Sequence, residues 1–584
     1  MDLFQALSLI GGLSLFLFGM TVMGQALERR AGSELRNLLS KITTNKYIGL
    51  LTGLVVTAVI QSSSATTVMV VGFVNSGLMT LRQAIHMIMG ANIGTTVTAW
   101  VLSLAGISSS NFWIRLLKPS SFTPVLALIG IVKYMFCKDD RKKDTGLILL
   151  GFATLMYGME SMSAAVSGLR DVPGFQQMFL MFQNPVLGVL AGAALTAIIQ
   201  SSSASVGILQ ALAATGQVTY GAAVPIIMGQ NIGTCITAIL SSIGANKNAK
   251  RAALVHLSFN VIGTAVWLCV FCLVKALFAP ALLNESASLM GIAVAHSLFN
   301  ILCTLLMLPL SNQLEKLVRT LVPDGKQPEV ASELDERLLA TPPVALERCK
   351  KVAAEMANSS VTALEDGITA LTNYTTELAK QVRTAEDQTD HFEDILGTYL
   401  VKLSTRRISA ADSNEAARLL KIIGDFERIA DHAVNLVQSA EELRSKKMAL
   451  SAKAMAELAV LTRAVDEILH LSLDAFLKDD YQAAGMVEPL EEVIDGLKEQ
   501  LRTDHILRLQ KEQCSIEAGF VWSDVLTDLE RVSDHCSNIA GCVMDMHEGK
   551  LSLHESLRAV KEDREKFTDR YEHYRQKYAL PENT

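Results

Sequence analysis

The sequence predicts an all-α protein in two unlike parts: a polytopic membrane domain with inverted repeats, each containing a re-entrant hairpin, followed by a soluble domain of two three-helix bundles. Three observations predict it. Apolar runs of about 17 to 25 residues, long enough to cross a hydrocarbon core about 30 Å thick, fill the chain up to about residue 311 and then stop. Within that stretch the sequence repeats itself at a fixed offset of 139 residues. Beyond it, charged amphipathic helices repeat at an offset of 103 residues.

Composition sets the outer bounds. A chain of 584 residues is too long for one domain, and its mean hydropathy of +0.31 averages over the two parts. The first apolar run, from Leu3 to about Met23, lacks the basic leader and small-residue cleavage site of a signal peptide, so it reads as a retained membrane helix. Nine cysteines are scattered without zinc-ligand or disulfide-framework spacing. A net charge of −7 leaves no basic stripe to neutralise a phosphate backbone, which excludes a nucleic-acid partner.

The membrane half is a duplication. Gln61-Ser62-Ser63-Ser64-Ala65 returns as Gln200-Ser201-Ser202-Ser203-Ala204, Asn92-Ile93-Gly94-Thr95 as Asn231-Ile232-Gly233-Thr234, Gly77 and Thr80 as Gly216 and Thr219, and Gly19-Met20 as Gly158-Met159. The repeats run over about 12–106 and 151–245, inside a membrane domain of residues 1–311. Between about Ile48 and Leu78 the apolar run is interrupted by Gln61 and three serines, which leaves arms of only about 14 to 16 residues, too short to cross. Such a segment reads as a re-entrant hairpin whose broken tip is buried in protein or lines a cavity, because free backbone polar groups cannot face lipid.

With both motif segments as hairpins, crossings fall near 3–23, 83–106, 122–137, 145–168, 218–243, 252–278 and 288–310. Arg29, Arg30, Arg36, Lys41 and Lys46, then Lys138, Arg141, Lys142 and Lys143, then Lys247, Lys250 and Arg251 all lie on one side, which the positive-inside rule makes cytoplasmic. The other side holds only Arg115, Lys118 and Arg170. Reading the first hairpin as a full span would move the cluster at 138–143 outside. The extra crossing at 122–137 makes the repeat period odd, so the second copy is inverted, the arrangement of transporters with a substrate site between their halves.

Hydroxyl-rich tips offer what a hard cation and an oxyanion both need. Serine and threonine oxygens and carbonyls coordinate sodium, while hydroxyl protons, glutamine amides and helix N-termini donate to an anion. The candidate substrate and ion residues are Gln61, Ser62, Ser63, Ser64 and Thr66 in the first copy, and Gln200, Ser201, Ser202, Ser203 and Ser205 in the second. With few ionisable residues in the membrane segments, an anion's charge must be offset by co-bound cations and half-helix dipoles. Asn92, Thr95, Asn231 and Thr234 are second candidates, in Gly-Xaa-Asn-Ile-Gly-Thr stretches whose glycines permit an unwound turn. Glu160 and the pairs His256/Asn260 and His296/Asn300 fit a helix–helix hydrogen bond as well as a transport role.

Residues 1 to about 310 resemble the type II sodium/phosphate cotransporter family, on the paired Gln-Ser-Ser-Ser segments each followed by Gly-Xaa-Asn-Ile-Gly-Thr. The resemblance implies sodium as coupling ion and inorganic phosphate as substrate, held around the two serine segments. The family's prokaryotic branch includes members associated with phosphate export, so uptake and export both remain open.

After a linker at 312–345, which includes Pro323 to Pro343, residues 346–578 carry apolar positions at i, i+3, i+4 and i+7 with almost no proline. Asp425-Phe426-Glu427-Arg428-Ile429-Ala430-Asp431-His432 with Asn435 is echoed by Asp528-Leu529-Glu530-Arg531-Val532-Ser533-Asp534-His535 with Asn538. Tandem three-helix bundles follow. Glu427/Asp431 and Glu530/Asp534 are i, i+4 pairs that project from one helix face, and an acidic helix precedes each, with Glu386 and Asp390 in the first copy and Glu491 and Asp495 in the second. Those carboxylates fit a shared metal ion, or a solvated face of salt bridges with Arg428 and Arg531. This half resembles a PhoU domain, which implies a phosphate-signalling module whose motifs hold a divalent or iron-type metal.

The expectation is a non-enzymatic, multi-pass protein of the cytoplasmic (inner) membrane that transports phosphate with sodium under control of a cytoplasmic PhoU-like domain. Its partners are phosphate, sodium and the lipid bilayer, with a cytoplasmic signalling protein or a second copy of the chain as candidates for the soluble half. A membrane-anchored signalling protein is the alternative, and intact polar tips in both hairpins disfavour it.

Overall fold

A helix that must stop inside a membrane needs a residue to end it and another to start its successor. Both hairpins have them. In the computed structural model, which describes residues 3–40, 45–107, 116, 118–167, 181–323, 334–406, 408–548 and 564–580, α2 (Lys46–Ile60) ends on Gln61 in the left-handed region, φ 60°. Extended Ser62 then accepts from the Ala65 amide and opens α3 (Ser63–Asn75). The second hairpin repeats the device: α7 (Pro185–Ile199) ends on Gln200 at φ 58°, and Ser201 caps α8 (Ser202–Ala213). A left-handed non-glycine residue costs about 1–2 kcal/mol. Each Gln amide offsets part of this by donating to Thr57 or Thr196, at 2.8 and 2.7 Å.

The long helices fall where the apolar runs predict. They are α1 (Leu3–Ser40), α4 (Leu81–Ser103), α5 (Pro119–Phe136), α6 (Asp140–Ser167), α9 (Tyr220–Ser241), α10 (Lys247–Phe278) and α11 (Leu289–Met307). Among the described residues these seven supply the segments long and apolar enough to cross a membrane, and α2, α3, α7 and α8 are the shorter apolar helices between them. Lys41, Arg115 and Arg170 of the charge tally, and 324–333 of the linker, lie outside the described residues.

Glycine pairs show how the repeats are related. A Cβ on Gly19 would stand 2.4 Å from the Leu155 nitrogen and 2.6 Å from the Gly151 carbonyl, and one on Gly158 would stand 2.4 Å from the Phe16 nitrogen and 2.7 Å from the Gly12 carbonyl. Gly12 matches Gly151 in the duplication and Gly19 matches Gly158, so equivalent helices cross in opposite directions about a pseudo-two-fold. The repeats are inverted.

The expectation of an unwound turn at Gly-Xaa-Asn-Ile-Gly-Thr is corrected, because α4 and α9 run unbroken through it. Its glycines serve close approach instead. A Cβ on Gly90 would meet the Leu50 carbonyl at 1.9 Å, and one on Gly229 the Val189 carbonyl at 1.9 Å. Each hairpin's first arm therefore lies backbone to backbone on the helix that follows the hairpin, which fixes the height of its tip.

The membrane unit extends to Val344. Part of the predicted linker is ordered on it, as α12 (Ser311–Leu321) and a short 3₁₀ turn at Glu336–Ala340. Leu338 is fully buried and lies against Gly72 of α3. Asn75, at the end of α3, donates to Asp335 at 2.6 Å, and Arg337 donates to the Ser241 and Ile243 carbonyls.

The second unit, Ala345–Thr584, contains α13 (Pro342–Thr372, which begins just before it), α14 (Thr376–Ser404) and α15 (Ala410–Ser445), then α16 (Ala452–Lys478), α17 (Tyr481–Gln510) and α18 (Ile516–Glu548). These are the two three-helix bundles. They are joined reciprocally: His432 Nδ1 donates to Asp528 at 2.8 Å while His535 Nδ1 donates to Asp425 at 2.9 Å, and the two rings stand 5.8 Å apart. A last helix, α19 (Arg564–Lys577), is tied to α17 by Arg570 donating to the Gly485 carbonyl.

Gly90→Ala and Gly229→Ala are expected to destabilise the membrane unit by about 1–3 kcal/mol, the range for overpacking a tight contact. Gly11→Ala, where a Cβ meets nothing within 4 Å, should be near neutral. Thermal unfolding of the purified variants, followed by size-exclusion chromatography, measures both.

Candidate functional site

The two tips meet. Ser63 and Ser202, equivalent residues at the start of α3 and α8, bring their hydroxyls to 3.4 Å, and Ser64 Oγ donates to the Gln200 carbonyl at 3.4 Å. Contact between equivalent residues places them at the pseudo-two-fold, where two helix N-termini converge. Neighbouring threonines are held out of the way, since Thr66 and Thr67 donate back to the carbonyls of Ser62 and Ser63.

Beside the tips lies a cavity of about 220 Å³, well above the space one water needs. The first tip lines it with Ile60, Gln61, Ser62, Ser63, Ser64 and Ala65, the second with Gln200, Ser201, Ser202 and Ser203. The remaining wall is one face of α1: Met20, Thr21, Gly24, Gln25 and Glu28. Their spacing is that of a single helical stripe. All eight residues of the two Gln-Ser-Ser-Ser segments therefore share one cavity, whereas the α1 wall was missed by sequence reasoning keyed to the serine motif. Its one legible signal was Glu28, an acid at the end of an apolar run.

The cavity breaks the symmetry of the fold. Counterparts of the α1 wall on α6 are Met159, Glu160, Ser163, Ala164 and Ser167, and none lines it. Gln61 is clamped, with Oε1 accepting from Thr98 at 2.9 Å and Nε2 donating to Ala58. Gln200 is exposed.

Thr66, Ser205, Asn92, Thr95, Asn231 and Thr234 lie off the cavity wall. Thr95 and Thr234 donate to carbonyls one turn back, as does Asn231, and Ser205 presents its carbonyl to Gln230. Asn92 Oδ1 is 3.2 Å from His256 Nε2, which joins α4 to α10. Asn260 and Asn300 each donate to the carbonyl of the preceding His256 or His296, at 3.0 Å.

In the soluble unit, burial and then the charges of Asp387, Asp431 and Asp390 push the Glu386 carboxyl above its ordinary range. Burial and then Asp431 do the same to Glu427. α14 and α15 thus gather Glu386, Asp390, Glu427 and Asp431 into one negative patch, with Arg428 on its exposed edge. In the second copy burial and then Glu530 push Asp495 and Asp534 up, and Glu491 lies on the same helix as Asp495. That patch carries its own counter-charge, Lys498 at 2.8 Å from Glu530. Glu393 holds the equivalent place in the first copy, where its charge adds to that around Glu427. The donor set of the first patch fits a metal cation, while the second is partly satisfied by its lysine. A tighter group absent from the sequence reading is Glu365, Asp466 and His470, whose ligand atoms lie within 4.8 Å of one another. Asp466 and His470 at i, i+4 were its signal.

Comparison with known proteins matches residues 15–164 and 173–301 to the Na+/Pi-cotransporter family, and residues 353–440 and 458–543 to the PhoU domain. The chain is 24% identical over 547 residues to the "Putative inorganic phosphate export protein YjbB" of Escherichia coli (strain K12), covering 92% of this chain and 97% of that one. It is 30% identical over 309 residues to the "Uncharacterized protein YqeW" of Bacillus subtilis (strain 168), covering 53% of this chain and 95% of the relative. With the human "Sodium-dependent phosphate transport protein 2B" it shares 23% identity over 403 residues, 44% of this chain and 58% of that one. Among solved structures it is similar to PhoU from Pseudomonas aeruginosa, with TM-score 0.34 and 24% identity, covering 35% of this chain and 98% of the other.

Raised carboxyl pKa values carry a sign. A folded-state value above the unfolded one means that Glu386 and Glu427 favour folding increasingly as pH falls through the folded value, and oppose it at neutral pH. Glu427→Gln should therefore raise the unfolding temperature of the soluble unit at pH 7 and leave it unchanged or lower near pH 4. Calorimetry of the full chain at both pH values checks this.

Proposed function

Because the chain belongs to the Na+/Pi-cotransporter family and carries a PhoU domain in its C-terminal half, we propose that it is a non-enzymatic transporter that moves inorganic phosphate across the cytoplasmic membrane, coupled to sodium, by alternating access. The convergence of two helix N-termini and six serine hydroxyls on one cavity carries this reading. Helix N-termini and hydroxyl protons donate to phosphate oxygens, and hydroxyl and carbonyl oxygens accept sodium. Sodium coupling is further supported by the printed name of the human relative, and movement of phosphate outward by that of the Escherichia coli one. Net direction in such a machine follows the gradients applied to it.

The basic loops put the C-terminal end of α1 on the cytoplasmic side. A cavity walled by that half of α1, and not by the equivalent half of α6, is then inward-facing. Exchanging the conformations of the two inverted repeats generates the outward-facing state, in which Met159, Glu160, Ser163, Ala164 and Ser167 replace the α1 wall. In this reading Asn92, Thr95, Asn231, Thr234, Thr66 and Ser205 support the hairpins from behind. The cytoplasmic PhoU domain regulates flux, with Glu386, Asp390, Glu427 and Asp431 holding a divalent or iron-type cation and Glu491, Asp495, Glu530 and Asp534 forming a weaker second site.

Labelled-phosphate flux into proteoliposomes, with and without a sodium gradient, tests the function. Ser63→Ala and Ser202→Ala are expected to raise the phosphate KM about tenfold, equal to about 1.4 kcal/mol, without loss of folded protein. Flux that ignores sodium, or that survives both substitutions unchanged, defeats the proposal. Cysteine labelling tests the exchange of states: Gln25→Cys should react with a membrane-impermeant reagent applied from inside, and Ser163→Cys from outside, each protected when the other side is favoured.

A further inference from the structure

Glu28 is the one ionisable side chain among the described residues that line the cavity, and no motif assigns it. It stands on the α1 stripe with Thr21, Gly24 and Gln25, and its Oε1 is buried without a hydrogen-bond partner. The neighbouring cation makes its hydrogen bonds elsewhere. Arg29 is committed to Asp144 on α6, with Nε and Nη2 at 2.8 and 2.7 Å from Oδ1.

A carboxylate with one oxygen buried and without a partner is unfavourable when ionised, and it then repels any anion that enters the same cavity. A bound cation removes both penalties. The wall opposite offers neutral oxygen donors, the tip hydroxyls, and the Ile60 carbonyl approaches α1 so closely that a Cβ on Gly24 would stand 3.3 Å from it. Small hard cations favour that mixture of carboxylate, hydroxyl and carbonyl oxygen. In the other repeat the position of Glu28 is held by Ser167. The wall equivalent to it on α6 carries its carboxylate at a different place, Glu160, the counterpart of Thr21.

Resting on the reading of this cavity as the phosphate site, we infer that the Glu28 carboxylate binds a sodium ion inside it and so makes phosphate occupancy there conditional on sodium. The ion neutralises the carboxylate before the anion enters beside it. Loss of the carboxylate should then uncouple the two ligands and not abolish phosphate binding.

Equilibrium binding of ²²Na⁺, and of labelled inorganic phosphate at graded sodium, to the purified full chain tests this. In E28Q, sodium affinity is expected to fall about tenfold or more, and sodium stimulation of phosphate binding to shrink below about twofold, while phosphate binding without sodium is retained or strengthened. Unchanged ²²Na⁺ affinity in E28Q overturns the inference, as does sodium binding that survives while only the pH dependence of phosphate binding is lost, which would make the ligand a proton. If E28Q does not fold, E28D decides, since retracting the carboxylate should weaken sodium binding and an unaltered affinity refutes it. A wild-type chain that binds no phosphate defeats the functional reading instead, and the ²²Na⁺ comparison still decides the role of Glu28.

Discussion

A helix broken inside a hydrocarbon layer exposes amide and carbonyl groups that lipid cannot satisfy. Most of the membrane unit follows from meeting that demand twice. Gln61 and Gln200 adopt a conformation that side chains disfavour, and Ser62 and Ser201 spend their hydroxyls on the next helix's amides. What remains of each new N-terminus points at its counterpart, with Ser63 and Ser202 in contact. The site is thus the unsatisfied remainder of the break. The tips draw their polarity from backbone, hydroxyls and glutamine amides, and Glu28 of α1 supplies the one carboxylate among the described residues that line the cavity.

A break of this kind works only if the tips are held at one depth. Gly90 and Gly229, by admitting a carbonyl where a Cβ would stand, let each short arm lean along its whole length on a long helix. Close backbone approach is a recurrent means of helix association where no hydrophobic force acts between apolar surfaces. The α1–α6 pair uses it at the pseudo-two-fold itself. Symmetry of packing therefore coexists with asymmetry of the cavity, which α1 walls and α6 does not. Two near-equivalent arrangements of one scaffold are what alternating access requires.

Much of this was legible in the sequence. Hairpin breaks, inverted copies, seven long apolar helices and tandem bundles all follow from repeat offsets and run lengths, signals that survive without coordinates. Gly-Xaa-Asn-Ile-Gly-Thr misled because glycine is ambiguous: permission to unwind and permission to pack look alike in one dimension, and only the neighbour's carbonyl decides. The α1 wall was hidden for a different reason. Thr21, Gln25 and Glu28 are ordinary residues at ordinary spacing, and their meaning comes from a hairpin tip more than thirty positions away.

The soluble half shows the same division within one motif. Asp425 and His432 are seven residues apart and share a face of α15, while Glu427 and Asp431 occupy another. The first face pairs with its copy on α18, each His donating to the other's Asp and Asn435 and Asn538 donating to the same carboxylates. A reciprocal lock of that kind requires both copies to keep Asp, His and Asn, which accounts for the duplication without reference to a ligand. The second face is under no such constraint, and there the copies diverge, with Lys498 answering Glu530 where Glu393 adds a further negative charge beside Glu427. The two copies thus carry unequal charge on faces tied by one symmetric lock. Because the lock and the carboxylates alternate along the same two turns of α15, a charge change at Glu427 and Asp431 falls within one helical turn of the contacts that join the bundles.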